Sequence, residues 1–193
     1  MSNYSTLVFA WLVFGVIHSV FATTLLKTRV EKLAGRPWPY YRLTYSLVAV
    51  ATLAWVLHVH FSITESILWL PPWFEKLLAG IAAIVGLVIM FICIKKYFMY
   101  LSGVDVFLDK KPAAGLEQTG LHAYIRHPLY AGTLLFVWAI FFGYPYLSNL
   151  ISCACITIYT LIGIYFEEKK LVKEYGDSYR SYRAQVPALI PKF

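Results

Sequence analysis

The sequence is short of charge, of acidic residues and of cysteine for a chain of its length. Charged side chains make up 14% of its 193 residues, and only 10 residues are Asp or Glu. In a soluble domain of this size about a quarter of the residues are charged, so the composition excludes a soluble globular domain. We also find no internal repeat, which excludes a repeat architecture.

The three cysteines, Cys93, Cys153 and Cys155, all fall within apolar stretches and have no metal-ligand or redox spacing. We predict that they pack in apolar surroundings. The first residues lack the positive charge of a signal peptide, and the apolar run that follows is longer than a signal-peptide core. We therefore interpret this run as a membrane helix.

Long apolar runs are what the sequence does contain. Hydrophobic residues make up 60% of the chain, and the mean hydropathy is +0.64. Four runs are long enough to cross a hydrocarbon core, which needs about 20 helical residues: Tyr4 to Leu26, Leu43 to Ile63, Leu77 to Ile94 and Leu129 to Phe166. The last run suffices for two crossings with a turn at residues 143–149. We predict an all-α polytopic membrane protein with about five transmembrane helices and a helix 4–5 hairpin.

Basic residues predict the orientation of these helices. All but one of the 17 Lys and Arg residues fall on one side of a five-helix arrangement, and Lys76 is the exception. Cytoplasmic loops hold the excess of basic residues, so we expect the N-terminus outside and the C-terminus in the cytoplasm, in a bacterial inner membrane. The net charge of +7 indicates anionic lipid as a partner, and nucleic acid is not needed to explain it.

We predict one membrane domain over residues 1–193, with three N-terminal helices in 1–96 and a functional half in 97–193. The tail begins with Glu167-Glu168 and is predicted to form a cytoplasmic amphipathic helix on the inner membrane surface. Helical spacing places Glu167, Leu171, Tyr175, Tyr179 and Tyr182 on one face of it. An interfacial anchor is the simpler interpretation of that face. Val186 to Pro191 is predicted to be a non-helical strap.

Two polar clusters are expected to converge on the inner face. One is the segment Gly120 to Gly132 before helix four, and the other is Glu167-Glu168 after helix five. A tight hairpin returns its two ends to the same side of the membrane, so we expect them to lie close together. Carboxylates, backbone amides and aromatic rings at the border of an apolar pocket suit a cationic, partly polar cofactor.

These residues resemble the isoprenylcysteine carboxyl methyltransferase superfamily of integral membrane enzymes. The first motif is Gly120-x7-His127-Pro128-x-Tyr130-x-Gly132, and the second is Glu167-Glu168-x2-Leu171-x4-Gly176-x2-Tyr179-x2-Tyr182-x3-Val186-Pro187-x3-Pro191. The match covers roughly the C-terminal 80 residues, and the two motifs are specific only in combination. The resemblance implies that S-adenosyl-L-methionine binds to the last helices and the tail.

Carried over by position, the resemblance implies a set of cofactor-binding residues. They are Ala114, Gly115, Leu116, Glu117, Gln118, His122, Tyr124, His127, Pro128, Leu129, Tyr130, Glu167 and Glu168. His122 stands where the family often has a tyrosine, and Tyr124 is the nearby tyrosine that can substitute for it.

The resemblance also implies methyl transfer to a small or lipophilic acceptor that reaches the site from the bilayer. The carboxyl methyltransferases have an arginine, thought to hold the substrate carboxylate, four residues before the acidic pair, where this chain has Gly163. The segments His18-Ser19-x-Phe21-Ala22 and Tyr41-Arg42-Leu43-x-Tyr45 resemble the bacterial branch that includes methanethiol S-methyltransferases. We therefore favour a small thiol over an isoprenylcysteine carboxylate or a phospholipid amine. His127, Arg126 and His18 are the candidate catalytic residues, since a thiol acceptor needs a base or a cation.

A different interpretation keeps the histidines and changes the ligand. His18-Ser19 and Arg126-His127-Pro128 also resemble a related membrane family that includes a haem-binding carotene isomerase. His18 and His127 would then ligate haem iron from two helices. This alternative gives no role to Glu167-Glu168.

Overall fold

The computed structural model describes residues 3–35, 38, 40–64, 66–102 and 115–191. These residues form seven α-helices and one 3-10 turn, with no strand among them beyond a single bridge between Ile67 and Tyr146. The helices are α1 (Asn3–Ala22), α2 (Thr24–Leu33), α3 (Tyr41–Phe61), α4 (Trp73–Ser102), α5 (Pro128–Gly143), α6 (Leu147–Tyr175) and α7 (Asp177–Gln185), and the 3-10 turn is Gly120–Ala123.

Four of these helices, α1, α3, α4 and α6, are long and apolar enough to cross a membrane. The fifth predicted span is α5, which is apolar but has only 16 residues. The predicted all-α membrane architecture is therefore confirmed, with four long helices and a shorter one. The orientation of the termini stays a prediction.

The chain divides into two compact units, which are described separately. The first comprises Met1–Ser66 with Tyr97–Pro112, and the second comprises Ile67–Lys96 with Ala113–Phe193. In the first unit α1 packs against α3, and the side chains of Leu7, Ala10 and Val56 are fully buried there. The Tyr41 hydroxyl donates a 2.9 Å hydrogen bond to the Phe21 carbonyl and fastens α3 to the end of α1. The predicted single domain with a boundary after residue 96 stays a prediction.

The second unit contains the hairpin of α5 and α6. The Trp138 indole donates to the Thr157 hydroxyl at 3.0 Å, and the Cys153 thiol donates to the Val137 carbonyl at 3.1 Å. The Asn149 amide closes the turn by donating to the Tyr144 carbonyl at 2.7 Å. These bonds hold the two helices in register from the turn toward the ends that carry the polar clusters.

A contact between glycines brings α4 against α5 in this unit. A Cβ atom on Gly86 would lie 2.8 Å from both the Gly132 carbonyl oxygen and the Phe136 nitrogen, closer than real Cβ contacts. A Cβ on Gly132 would lie 2.9 Å from the Ile89 side chain. Small residues let membrane helices approach through their backbones, and only glycine fits at this crossing.

Two predicted helix boundaries are wrong. The first span does not continue to Leu26, because the Thr23 hydroxyl caps α2 by accepting a 3.3 Å hydrogen bond from the Leu26 amide. The fifth span does not end at Phe166, because Glu167 to Tyr175 contains no glycine or proline and continues α6 without a break. The helix ends at Gly176, whose φ of +56° and ψ of −127° suit glycine alone.

Candidate functional site

The Arg126-His127-Pro128 triplet forms the entry into α5. A 3-10 turn at Gly120–Ala123 leads to it, and Ile125 is buried beneath. His127 is the N-cap residue of α5, and Pro128 occupies the first helical turn, where its missing N–H group costs nothing. The residue before a proline avoids the helical region, and His127 does so with φ −121° and ψ 64°. The turn thus fixes both side chains at the end of the hairpin.

The segment Val186 to Pro191, called the strap, is bound to this turn by its backbone. The Arg126 amide donates to the Pro187 carbonyl at 2.9 Å, and the His127 amide donates to the Ala188 carbonyl at 3.0 Å. The Arg126 guanidinium donates from Nη1 to the Arg183 carbonyl at 3.0 Å and also to the Val186 carbonyl. The two backbone amides ahead of α5 therefore bind the strap.

Glu168 lies at the centre of a buried ion-pair network. Its Oε1 accepts hydrogen bonds from Arg126 Nε at 2.9 Å and from Nη2 at 2.5 Å. The His127 Nε2 atom lies 3.3 Å from the same oxygen, and Arg183 Nε lies 3.2 Å from Oε2. The Glu168 side chain is 10% exposed and the Arg126 side chain 9%. Glu168 thus ties α6 to the entry of α5 and to α7.

Glu167, the neighbouring carboxylate, has a different environment. Its side chain is 42% exposed, and its Oε2 lies 3.8 Å from His127 Nδ1, beyond hydrogen-bond distance. The two adjacent acids therefore flank the His127 ring from opposite sides. The Glu168 carboxylate is occupied by Arg126 and Arg183, while the Glu167 carboxylate is accessible from the cleft described next.

A cleft opens beside this network and is lined by the 3-10 turn, α6 and α7. The cavity between its walls has a volume of about 140 Å³ and opens to solvent at its mouth. The lining residues are Gly115, Leu116, Glu117, His122, Arg126, His127, Glu167, Leu171, Tyr175, Tyr179 and Tyr182.

Two tyrosines of α7 enter the cleft with different bonding. The Tyr182 hydroxyl donates to the His122 carbonyl at 2.6 Å, and His122 Nδ1 lies 3.1 Å from the Arg126 carbonyl oxygen. Tyr179 is 1% exposed, and in the described part of the chain its hydroxyl has no hydrogen-bond partner of normal geometry. Burial raises the pKa of Tyr179 to about 12, and the Glu168 carboxylate contributes to the rise.

The cleft brings together seven of the residues predicted for the site: Gly115, Leu116, Glu117, His122, Arg126, His127 and Glu167. Tyr130 is not in the lining but stacks on His127 with 5.6 Å between ring centres. Tyr124 is also absent from the lining and is 67% exposed. Ala114 lies outside the described residues. The remaining predicted positions, Gln118, Pro128, Leu129 and Glu168, are not in the lining given above.

His18 belongs to the first unit, where Tyr45 contacts it. The Tyr45 hydroxyl lies 2.8 Å from His18 Nε2, and the His18 ring stacks on Phe14 with 5.5 Å between ring centres. Within the described residues no group of three or more His, Cys, Asp or Glu side chains is arranged to hold a metal ion. The catalytic role predicted for His18 stays a prediction.

Sequence reasoning did not assign the tail tyrosines to the site. Tyr175, Tyr179 and Tyr182 line the cleft together with Leu171. The spacing of one helical face identifies the same residues, and the resemblance implies that the tail takes part in the site, but neither names these tyrosines as site residues. The signal that distinguishes a wall of the site from a membrane anchor is Gly176, because a break in the helix lets α7 turn the face toward the site.

The long apolar helices are those of an integral membrane protein, and the named relatives are consistent with the isoprenylcysteine methyltransferase-like superfamily. The chain is 37% identical over 90 residues to a methanethiol S-methyltransferase of Crocosphaera subtropica, a match to 46% of this chain and 34% of that protein. It is 38% identical over 80 residues to the Protein-S-isoprenylcysteine O-methyltransferase of Schizosaccharomyces pombe, a match to 39% of this chain and 33% of that protein.

These matches span about a third of the length of the curated relatives. The family model described as NnrU protein matches residues 6–189 of the chain. The chain therefore belongs to the NnrU family. No solved structure matches it.

Proposed function

We propose that this protein binds S-adenosyl-L-methionine in the cleft and transfers its methyl group to a small or lipophilic acceptor from the bilayer. The observation that carries the proposal is the exposed Glu167 carboxylate, 3.8 Å from His127 Nδ1, in a cleft lined by aromatic side chains. A free carboxylate beside aromatic rings suits a cationic ligand. Relatives named as methyltransferases support the reaction type.

The residues present fit this cofactor. Glu167 supplies an accessible negative charge, and Tyr175 and Tyr182 supply aromatic surface. Tyr179 supplies a buried hydroxyl that has no normal hydrogen bond to a described protein group. At Gly115, which has a φ of +130°, a Cβ atom would meet nothing within 4 Å, so the backbone there is open to a ligand. We propose Glu167, these tyrosines and the segment 115–117 as the groups that hold the cofactor.

When bound, the cofactor supplies an electrophilic methyl group on a sulfonium. Such a transfer disperses charge in the transition state, so the protein contributes mainly by positioning the reactants and excluding water. The strap and the Glu168 network fix the end of α5. Arg126 uses Nε, Nη1 and Nη2 within the protein, so its contribution is to hold the site together.

For a thiol acceptor, we propose His127 as the group that takes the proton. Burial raises the pKa of a thiol, so a base must favour the thiolate. The Glu168 carboxylate 3.3 Å from Nε2 favours the tautomer that carries its hydrogen on Nε2. Nδ1 then keeps a free lone pair on the side of the ring that faces Glu167, where it can accept the proton.

The position of Gly163 bears on the choice of acceptor. A Cβ atom added there would meet nothing within 4 Å, so close packing does not require glycine at this position. A carboxylate acceptor has no cation at this position to hold it. We therefore favour a small thiol over an isoprenylcysteine carboxylate, with a phospholipid amine as the third class.

Two measurements test the proposal. Detergent-solubilised protein should bind S-adenosylmethionine, and Glu167→Gln and His127→Ala should each weaken that binding. Labelled-methyl transfer should then be measured with a small thiol, a phospholipid amine and an isoprenylcysteine, with the highest rate expected for the thiol. Unchanged cofactor affinity in both variants would remove the assignment.

The haem alternative is tested by an absorbance scan of the purified protein. His127 Nε2 already faces Glu168 at 3.3 Å and His18 Nε2 faces the Tyr45 hydroxyl at 2.8 Å. Ligation through either atom would have to displace that neighbour. A Soret band that disappears in His127→Ala would favour haem over methyl transfer.

A further inference from the structure

Tyr179 is the most buried residue in the wall of the cleft, and its hydroxyl is buried with it. Tyr179 is 1% exposed. Its hydroxyl has no hydrogen-bond partner of normal geometry in the described part of the protein. Buried polar groups are nearly always paired, so an exception requires an explanation. If packing alone mattered at this position, phenylalanine would fill the same space without a buried hydroxyl.

The charged neighbours of Tyr179 do not supply an acceptor. The Arg126 guanidinium lies close enough to donate toward the oxygen of Tyr179, and the Glu168 and Glu167 carboxylates act on the phenol through their charges. A guanidinium has donors and no acceptor, so Arg126 can serve the oxygen of Tyr179 but not its hydrogen. The oxygens of Glu168 already face Arg126, His127 and Arg183. Among the described residues no acceptor lies within hydrogen-bond distance of the Tyr179 hydroxyl, so its hydrogen is left for a group outside them.

Tyr182, three residues further along α7, shows what a structural tyrosine looks like in the same wall. Its hydroxyl donates to the His122 carbonyl at 2.6 Å and so ties α7 to the 3-10 turn. The two phenols thus differ in their bonding although both line the cleft. This contrast separates a hydroxyl that has a protein acceptor from one that has none among the described residues.

We propose that the Tyr179 hydroxyl is a cofactor-binding donor, which gives its hydrogen to an oxygen or nitrogen acceptor of the adenosine or amino-acid part of S-adenosylmethionine. This inference rests on the proposed function and adds a residue to the site. The acceptor atoms in question lie outside the transferred methyl group. S-Adenosylhomocysteine, the demethylated product, therefore carries the same acceptors and should meet the same donor.

The test is Tyr179→Phe, which removes one oxygen and keeps the ring. With solubilised protein and titration calorimetry, we expect S-adenosylmethionine and S-adenosylhomocysteine each to bind about tenfold more weakly, the size of one hydrogen bond to a ligand. The ligand-free melting temperature should be unchanged or higher, because an unpaired buried hydroxyl is removed. Tyr144→Phe is the matched control, since Tyr144 is exposed at the opposite end of α5.

Three results would overturn the inference. They are an unchanged affinity for both ligands in Tyr179→Phe, a loss confined to S-adenosylmethionine, and a lower ligand-free melting temperature, which would show a protein partner for the hydroxyl. If the unaltered protein fails to bind S-adenosylmethionine, the proposed function fails first. If it binds and Tyr179→Phe binds equally well, only the role of Tyr179 is lost.

Discussion

Replacing Glu168 by glutamine should destabilise the protein far more than the same change at its neighbour Glu167. Glu168→Gln removes the negative charge that Arg126 faces through two hydrogen bonds to Oε1. The Arg126 side chain is only 9% exposed, so its positive charge would remain buried without a counter-ion. Breaking a buried pair by neutralising one partner is much costlier than losing a surface pair.

The magnitude follows from burial. An uncompensated buried charge costs about 3–5 kcal/mol, and we take about 3 kcal/mol because glutamine keeps one oxygen acceptor. Arg183 is 54% exposed, so its share of the network is worth about 0–1 kcal/mol. For a chain of this size, each kcal/mol shifts the melting temperature by about 2–4 °C, so we expect a decrease of about 6–12 °C.

The assay is thermal unfolding of detergent-solubilised protein followed by tryptophan fluorescence. Glu167→Gln is the matched control, because it makes the same chemical change one residue earlier on a side chain that is 42% exposed. Its melting temperature should stay within about 2 °C of the unaltered protein. A double replacement of Arg126 and Glu168 by methionine should recover part of the loss. Equal melting temperatures for the two glutamine variants would refute the reasoning.

Three further predictions concern packing and charge. Gly86→Ala should lower the free energy of unfolding by about 1–3 kcal/mol, because its Cβ would meet backbone atoms of α5 at 2.8 Å. The control is Gly80→Ala, where a Cβ meets nothing within 4 Å, and it should cause no loss in the same denaturation assay. Burial raises the pKa of Tyr179 from 10.0 to about 12, so this phenol ionises more easily in the unfolded chain and the stability of the protein should decline as the pH rises from 10 to 12. Tyr179→Phe should flatten this alkaline decline, and parallel pH profiles would contradict the assignment. Arg183→Met should change the melting temperature by less than about 4 °C, and a larger decrease would show that the exposed arginine shares the role of Arg126.

Much of the fold could be predicted because a membrane helix is recognised in a sequence by the length and apolarity of its run of residues. The hairpin also followed from sequence, since Gly143 to Asn149 combines turn-forming residues in the middle of one long apolar run. The end of α6 could not be located from hydropathy. Charges at Glu167 mark the end of the apolar surface, but a helix ends only where its backbone conformation changes, and here that is Gly176.

The grouping of several predicted residues around one cleft could be anticipated from sequence, whereas their different environments could not. Helical spacing placed Glu167, Tyr175 and Tyr179 on one face, and they do share the cleft. Nothing in the sequence distinguishes Glu167 from Glu168, because their difference arises from Arg126, which lies 42 residues before Glu168. The pairing of the strap carbonyls with the amides of Arg126 and His127 is likewise a long-range backbone contact that side-chain patterns do not encode.

The length of α6 has a consequence for how activity would be measured. Its 29 residues extend about 44 Å, whereas the hydrocarbon core is about 30 Å thick. The last turns, which carry Glu167 and Glu168, therefore extend past the hydrocarbon core into the headgroup layer, where the proposed water-soluble cofactor would arrive from one phase and the proposed lipophilic acceptor from another. For such an acceptor the rate would depend on its mole fraction in the lipid or detergent, so assays at a fixed bulk concentration would slow down as more detergent is added.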